Sequence, residues 1–461
     1  MKRFFLAIAT LVVAGALIAG VALWRRGTHD VVIPERHPPP AGDAAPAWSG
    51  DRPNVVLVIG CTVRRDQVSP YGGHPATTPF LSDVAANGVR FTDAISAAPW
   101  TKSAATTLLT GRPFREIGMF EVEPNSSTRR LAEQVTTLAE VFRNAGYFTI
   151  GATANPNLNR VFGFDQGFDR YHQSSALWRF GMQKLPGEVV VDLILPEIDH
   201  RSTPDGPVYV QAVFLDAHHP RNEEHVDLEP FGSDVPPEVV VYRAFLHRFD
   251  RAVQRLWSGL RERGFDDSNT ILMVVSDHGE GLRLPPSQGY GHGMFLSPAV
   301  LQMTWLVRGR GVPAGKTVDG LASAVDVLPT LARLAGIDVP PEISGHDWTT
   351  QVRTGTRTDR SRAFSETDFH RADKSAIFGD HHACEVRYRT AIPETRCFDR
   401  DLDPFHSEPL PTPDLELVRE LEAWRADQIA AAVAWPWTAR AFPTREEREM
   451  LEQLGYVGDE Q

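Results

Sequence analysis

Unbroken apolar runs, rather than alternation, dominate the hydrophobic pattern of this chain. Asn54–Gly60 (NVVLVIG) has no polar break until Gly60. That predicts a strand buried on both faces, as in a parallel sheet covered by helices. Thr270–Ser276 is a similar run, Val208–Leu215 is broken only by Gln211, and Tyr147–Ala152 and Gln302–Arg308 predict further strands. Helical periodicity lies between them. Thr77-Thr78-Pro79 opens a helix with Phe80, Leu81, Val84 and Ala85 on one face, ended by Gly88. A second helix starts at Thr101 and runs to Gly111, placed as a C-cap. Leu138–Ala145 and the amphipathic Tyr242–Arg263 are further helices. The alternation predicts an α/β fold, a large mostly parallel sheet flanked by helices. From about Thr354 the elements shorten, and a small C-terminal antiparallel α+β subdomain is expected, packed by a Leu415–Ala432 helix.

The N-terminus does not share this pattern. Met1-Lys2-Arg3 precedes an uncharged run from Phe4 to Trp24, closed by Arg25-Arg26. Its length fits a spanning helix rather than a secretory h-region. We read residues 1–30 as a signal anchor, an N-terminal transmembrane helix, with a cleaved signal peptide as the alternative. Residues 31–52, including Pro38-Pro39-Pro40, form a proline-rich linker. The bulk of the chain is then extracytoplasmic, periplasmic or extracellular, and the membrane is a partner through that helix. The net charge of −12 argues against nucleic acid as a partner. Three cysteines are too few for a disulfide scaffold. Cys384 and Cys397 flank a predicted hairpin and form a disulfide pair in an oxidising compartment. Cys61 is left over.

Three apolar strands end in polar clusters: Cys61-Thr62, Asp216 with His218 and His219, and Asp277-His278. Residues past the carboxyl ends of such strands line the ligand crevice of open α/β sheets. Asp277 and His278 can both turn toward one cation. Thr101, at a helix N-terminus that favours anions, becomes a nucleophile if a cation lowers its hydroxyl pKa. Lys102 and nearby histidines, with His292 in the Gly289–Gly293 loop, would hold a substrate oxyanion. Arg64 and Asp66 read as a structural pair, His219 as a bystander, and Asp216 as orienting its loop.

At these residues the chain resembles the sulfatase family of the alkaline phosphatase superfamily. The matching segments are RPNVVLVIGCTVRRDQVSPYGG, TTPFLSDVAANGVRFTDAISAAPWTKSAATTLLTGRP, FLDAHHP, VVSDHGE with GYGHG, LASAVDVLPTLARLAGIDVPPEISG and the closing LEQLGYVG. The resemblance implies a catalytic domain over residues 53–353 and a smaller antiparallel domain over 354–461. It makes Asp277 and His278 metal ligands, puts His218 and His292 against the substrate's anionic group, and places Thr101 at the nucleophile position. Family members convert a cysteine or serine there to formylglycine; with Thr101, Ser103 and Ala105 no formylglycine is expected, and threonine resembles the phosphoryl-transferring relatives. Cys61 replaces a metal-ligating aspartate. As a thiolate it suits Zn beside Asp277, His278 and Thr101, whereas Ca or Mn remain options without it. The implied function is metal-dependent hydrolysis or transfer of a sulfate or phosphate ester, with a small-molecule, glycan or lipid substrate. The alternative is a catalytically inactive sulfatase-fold protein that binds an anionic glycan or lipid head group.

Overall fold

Branched apolar residues build the centre of the molecule, as their pattern dictates. Strand β1 (Asn54–Gly60) is buried at every position after Asn54. It lies between β5 (Val208–Phe214) and β6 (Thr270–Ser276), parallel to both and buried like them. The computed structural model describes residues 52–120, 129–173, 184–201, 206–221, 227–232, 235–285, 289–390, 392–437 and 439–456. The expected signal anchor and most of the linker lie outside the described residues. Among the described residues, no helix is long and apolar enough to cross a membrane.

The main sheet continues from β5 through β3 (Phe148–Thr153) to β4 (Arg170–Gln173), all parallel. On the other side β6 meets β8 (Trp305–Gly309), which pairs antiparallel with both β6 and β2 (Gly88–Ile95). The short β7 (Gln302–Met303) continues that antiparallel edge, and β9 (Lys316–Ser323) pairs parallel with β2 beyond it. The strand expected over Gln302–Arg308 is therefore interrupted at Thr304, and it reverses the direction of an otherwise parallel sheet. Helices α1 (Pro79–Ala86), α2 (Thr101–Thr110), α3 (Leu138–Asn144), α4 (Gly187–Asp199), α5 (Pro237–Arg261) and α6 (Val327–Leu334) flank it.

Three local expectations change. Helix α5 starts at Pro237 rather than Tyr242, because proline fits a first helical turn, where no N–H is needed. Gly88 opens β2 instead of ending α1; a Cβ there would sit 2.2 Å from the Val307 carbonyl oxygen. Thr78 does not cap α1 with its side chain. Its hydroxyl accepts from the Ser69 amide at 2.8 Å, and the cap comes from Asp250 on α5. Asp250 accepts from the Phe80 and Leu81 amides at 2.9 and 2.8 Å.

Burial of Asp250 outweighs those two bonds and raises its pKa to about 7. The native state then holds a proton that the unfolded chain releases near pH 4. Its contribution to stability falls as pH rises from about 4 to about 7, by at most about 4 kcal/mol, and levels off above. We expect the difference between wild-type and Asp250→Asn unfolding free energies to follow that slope in chemical denaturation. A pH-independent difference would refute the assignment.

The C-terminal region forms a four-stranded antiparallel sheet among the described residues. Its strands are β10 (Ala363–Thr367), β11 (Lys374–Phe378), β12 (His382–Arg387) and β13 (Glu394–Asp399). Helix α7 (Leu415–Ala434) packs on it through Leu417 and Leu421, with Trp424 stacked on Phe364. Cys384 and Cys397 oppose each other on β12 and β13 and are disulfide-bonded, as expected. A loop of this size is worth about 3 kcal/mol. The Cys384→Ala/Cys397→Ala variant should lose roughly 2–4 kcal/mol in denaturant unfolding; a loss below about 0.5 kcal/mol would show that the bridge is idle.

The small sheet is tied to the large one. The Glu366 amide donates to the Ala97 carbonyl at 3.0 Å, the Thr367 hydroxyl to the Gly293 carbonyl at 2.6 Å, and Trp100 Nε1 to Asp368 at 3.3 Å. Buried Arg115, just beyond α2, pairs with buried Glu366 at 2.6 Å. These contacts hold the chain on either side of Thr101 and the loop that carries His292.

Candidate active site

Register decides the site. Gly60 stands opposite Ser276 on one side and Phe214 on the other, and Thr153 stands opposite Val213. Adjacent parallel strands therefore deliver Asp277 and His278, Cys61, Asp216 and His218, and Asn155 to one end of the sheet. Thr62 adopts a left-handed conformation (φ 57°), a strained turn for a β-branched residue. It aims the Thr62 amide at Asp277 Oδ1, 3.1 Å away, where the His278 amide also donates at 2.7 Å. Asp277 Oδ2 is buried without a hydrogen-bond donor.

Thr101 is the first residue of α2, following the extended Trp100, and is wholly buried. Its hydroxyl lies 3.2 Å from Asn155 Nδ2, 3.3 Å from the Tyr456 hydroxyl and 3.4 Å from His278 Nε2. Burial lowers the His278 pKa despite the opposing pull of Asp277, so the ring is neutral. With Nδ1 bonded to the Gly279 carbonyl at 2.9 Å, that nitrogen carries the proton and Nε2 is an acceptor. His278 Nε2 also lies 3.5 Å from the orphan Asp277 Oδ2. Two electron-pair donors thus face each other across a buried gap, an arrangement that calls for a cation or a proton between them.

Cys61 is buried, and its sulfur accepts from Asn155 Nδ2 at 3.4 Å. Burial, reinforced by the charge of Asp277 and a hydrogen bond to it, pushes the thiol pKa up, so Cys61 is a thiol. Among the described residues, no group of three or more His, Cys, Asp or Glu side chains is arranged to hold a metal ion. Two donors of suitable chemistry do face each other, the orphan Asp277 oxygen and the His278 imidazole lone pair 3.5 Å from it.

The opposite wall carries His218 and His292. Their ring centroids are 4.9 Å apart, and His292 is 4.8 Å from His278. His218 is buried, and desolvation, aided by His292, lowers its pKa well below the usual imidazole value. Its Nδ1 bonds the His219 carbonyl, so Nε2 is again an acceptor. His292 Nδ1 meets Glu280 at 3.2 Å, and Glu280 is bridged to Arg221 at 2.9 Å. Burial pushes the Glu280 carboxyl up, but His292 and Arg221 outweigh it and hold its pKa below the ordinary value.

Other expected residues are placed as follows. Lys102 is buried with Nζ 4.3 Å from the Phe162 ring centroid. Arg64 and Asp66 form a bidentate pair at 2.7 Å. Asp216 accepts from the Gly187 amide at 3.1 Å, and Lys184 donates to the Asp216 carbonyl at 2.7 Å, which fixes the His218 loop. Sequence reasoning missed Asn155, Glu280 and Tyr456. The signal for Asn155 was its position two residues past the Phe148–Thr153 strand; Glu280 sat inside the DHGE motif.

The sulfatase family profile matches residues 53–337. The chain belongs to the sulfatase family. It is 35% identical over 115 residues to the arylsulfatase of Klebsiella aerogenes, covering 23% of this chain and 24% of that protein. The match therefore spans about a quarter of that relative's length. It is 23% identical over 366 residues to the uncharacterized sulfatase YidJ of Escherichia coli K12, covering 64% of this chain and 70% of that protein. The fold is similar to the structure of BT4656 in complex with its substrate D-glucosamine-2-N,6-O-disulfate. There the TM-score is 0.67 at 17% identity, over 83% of this chain and 98% of that one.

Proposed function

We propose that this sulfatase-family protein hydrolyses or transfers a sulfate or phosphate ester with the Thr101 hydroxyl as nucleophile. The observation that carries the reading is the Thr101 hydroxyl itself. It sits at the start of a helix, whose free N–H groups favour an anion, between a donating amide and an accepting imidazole. Asn155 fixes one lone pair of the hydroxyl and so orients the other. His218 and His292 form the wall against which the ester's oxygens would rest. The near-complete burial of Thr101, Asp277 and His278 excludes water and strengthens each of these interactions.

Asp277, His278 and Cys61 are the residues that would hold a divalent cation, Zn being favoured by the sulfur. When bound, such an ion lowers the pKa of a nearby hydroxyl and neutralises developing negative charge. The substrate class we favour is a sulfated or phosphorylated glycan, supported by the disulfated glucosamine bound to BT4656. An extracytoplasmic setting is supported by the Cys384–Cys397 disulfide.

A second reading, an anion-binding protein without turnover, is favoured by one observation: the described residues offer no cluster of three ligating side chains. Metal content of the purified full chain, wild type beside Asp277→Asn, separates the two, followed by a screen of sulfate and phosphate esters. We expect about one Zn per chain, lost in the variant, and turnover by the wild type only. No metal and no turnover in either leaves the binding reading.

A further inference from the structure

The closing LEQLGYVG motif finds no role in the chemistry above, yet its tyrosine lies in the pocket. Helix α8 (Arg445–Gln453) begins with a capping box from Thr444 and buries Met450 and Leu451. Gly455 (φ 78°) then turns the chain, and the buried Tyr456 points inward. Its hydroxyl lies 2.8 Å from His218 Nε2, 3.2 Å from Asn155 Nδ2 and 3.3 Å from Thr101 Oγ1. The directions of the bonds to His218 and Asn155 are fixed. His218 Nε2 accepts, so the phenol donates to it; the phenol oxygen accepts from Asn155, which has no acceptor on that nitrogen.

An ester undergoing attack must place its central atom roughly 3–3.5 Å from the nucleophilic oxygen. Around Thr101 Oγ1 that distance is already occupied by Asn155, His278 and Tyr456. His218, expected to meet the anion, has Nε2 engaged by the same phenol. Asn155 and His278 belong to the sheet end, whereas Tyr456 sits past the end of a short surface helix. Of the three, Tyr456 is the group that can leave without dismantling the sheet.

We propose that the Tyr456 hydroxyl stands where an oxygen of the bound anion would lie, beside Thr101 and within reach of the Asn155 amide donor, and that the 445–456 segment is a strap displaced when an anion binds. The inference rests on the functional reading of the pocket given above. It assigns Asn155 a second partner, an oxygen of the sulfate or phosphate group, in place of the phenol.

Calorimetric binding of inorganic phosphate and of sulfate to the full chain tests this, with Tyr456→Phe and Tyr456→Ala beside wild type. If the docked strap outweighs the open state by about ten to one, Tyr456→Ala binds about tenfold tighter. Tyr456→Phe, which keeps the ring but loses its bonds to His218 and Asn155, falls between. Amides of the Arg445–Gln453 helix should exchange faster when wild type takes up the anion. Binding by wild type with equal or weaker binding by the variants, or with unchanged exchange in that helix, overturns the strap and leaves the pocket assignment standing. If Tyr456→Ala does not fold, Tyr456→Phe decides by the same criterion. No binding of either anion by wild type or variants overturns the pocket reading, and the strap with it.

Discussion

Thr101→Val should reduce ester turnover by about 10³-fold or more while leaving the fold intact. Valine keeps the β-branch and almost the volume of threonine in a fully buried position, so packing is preserved. Asn155 Nδ2 still has the Tyr456 oxygen and the Cys61 sulfur as acceptors, whereas the buried His278 Nε2 loses its hydroxyl donor. Stability should therefore fall by about 1–3 kcal/mol, the cost of one unsatisfied buried acceptor. A nucleophile, unlike a helix cap, has no substitute once its oxygen is gone. Steady-state kinetics beside thermal melting checks this. Turnover above about a tenth of wild type would remove Thr101 from the chemistry.

Cys61→Asp should be the most destabilising single change at the site when divalent ions are absent, and the one most rescued by adding them. The position is fully buried, and Asp277 already brings an uncompensated carboxylate oxygen to the gap. A second buried carboxylate there costs about 3–5 kcal/mol unless it is protonated or neutralised. It also turns a mixed sulfur, nitrogen and oxygen donor set into a harder one suited to Ca²⁺ or Mn²⁺. A divalent ion at a hundred times its dissociation constant restores about 2.7 kcal/mol by linkage. Melting curves with a chelator and with added Ca²⁺ or Mn²⁺ give the answer. Equal stability in both conditions would mean that no cation is held at this strand end.

The sequence made the centre of the sheet legible because β1, β5 and β6 are almost wholly apolar; β2, β4 and β9 carry several polar residues and escaped. It made Asp277, His278, His218 and Thr101 legible because each follows directly on such a strand or opens a helix. Asn155 was less visible: the strand before it, FTIGAT, is broken by a glycine and reads weakly. Tyr456 could not be found by strand logic at all, since it reaches the pocket from the far end of the chain through tertiary packing. The capping of α1 by Asp250 was hidden for the same reason, because no local rule says that a helix will borrow its cap from another. The antiparallel course of β8 also escaped, since an apolar run carries no information about its direction.

The bonds joining β10 to Ala97, Gly293 and Trp100 bear on how the molecule breathes. A local opening that frees the first strand of the small sheet also frees the chain that leads into α2 and the loop that carries His292. We therefore expect the small sheet and the pocket wall to open together, with the disulfide across β12 and β13 opposing that opening from a distance.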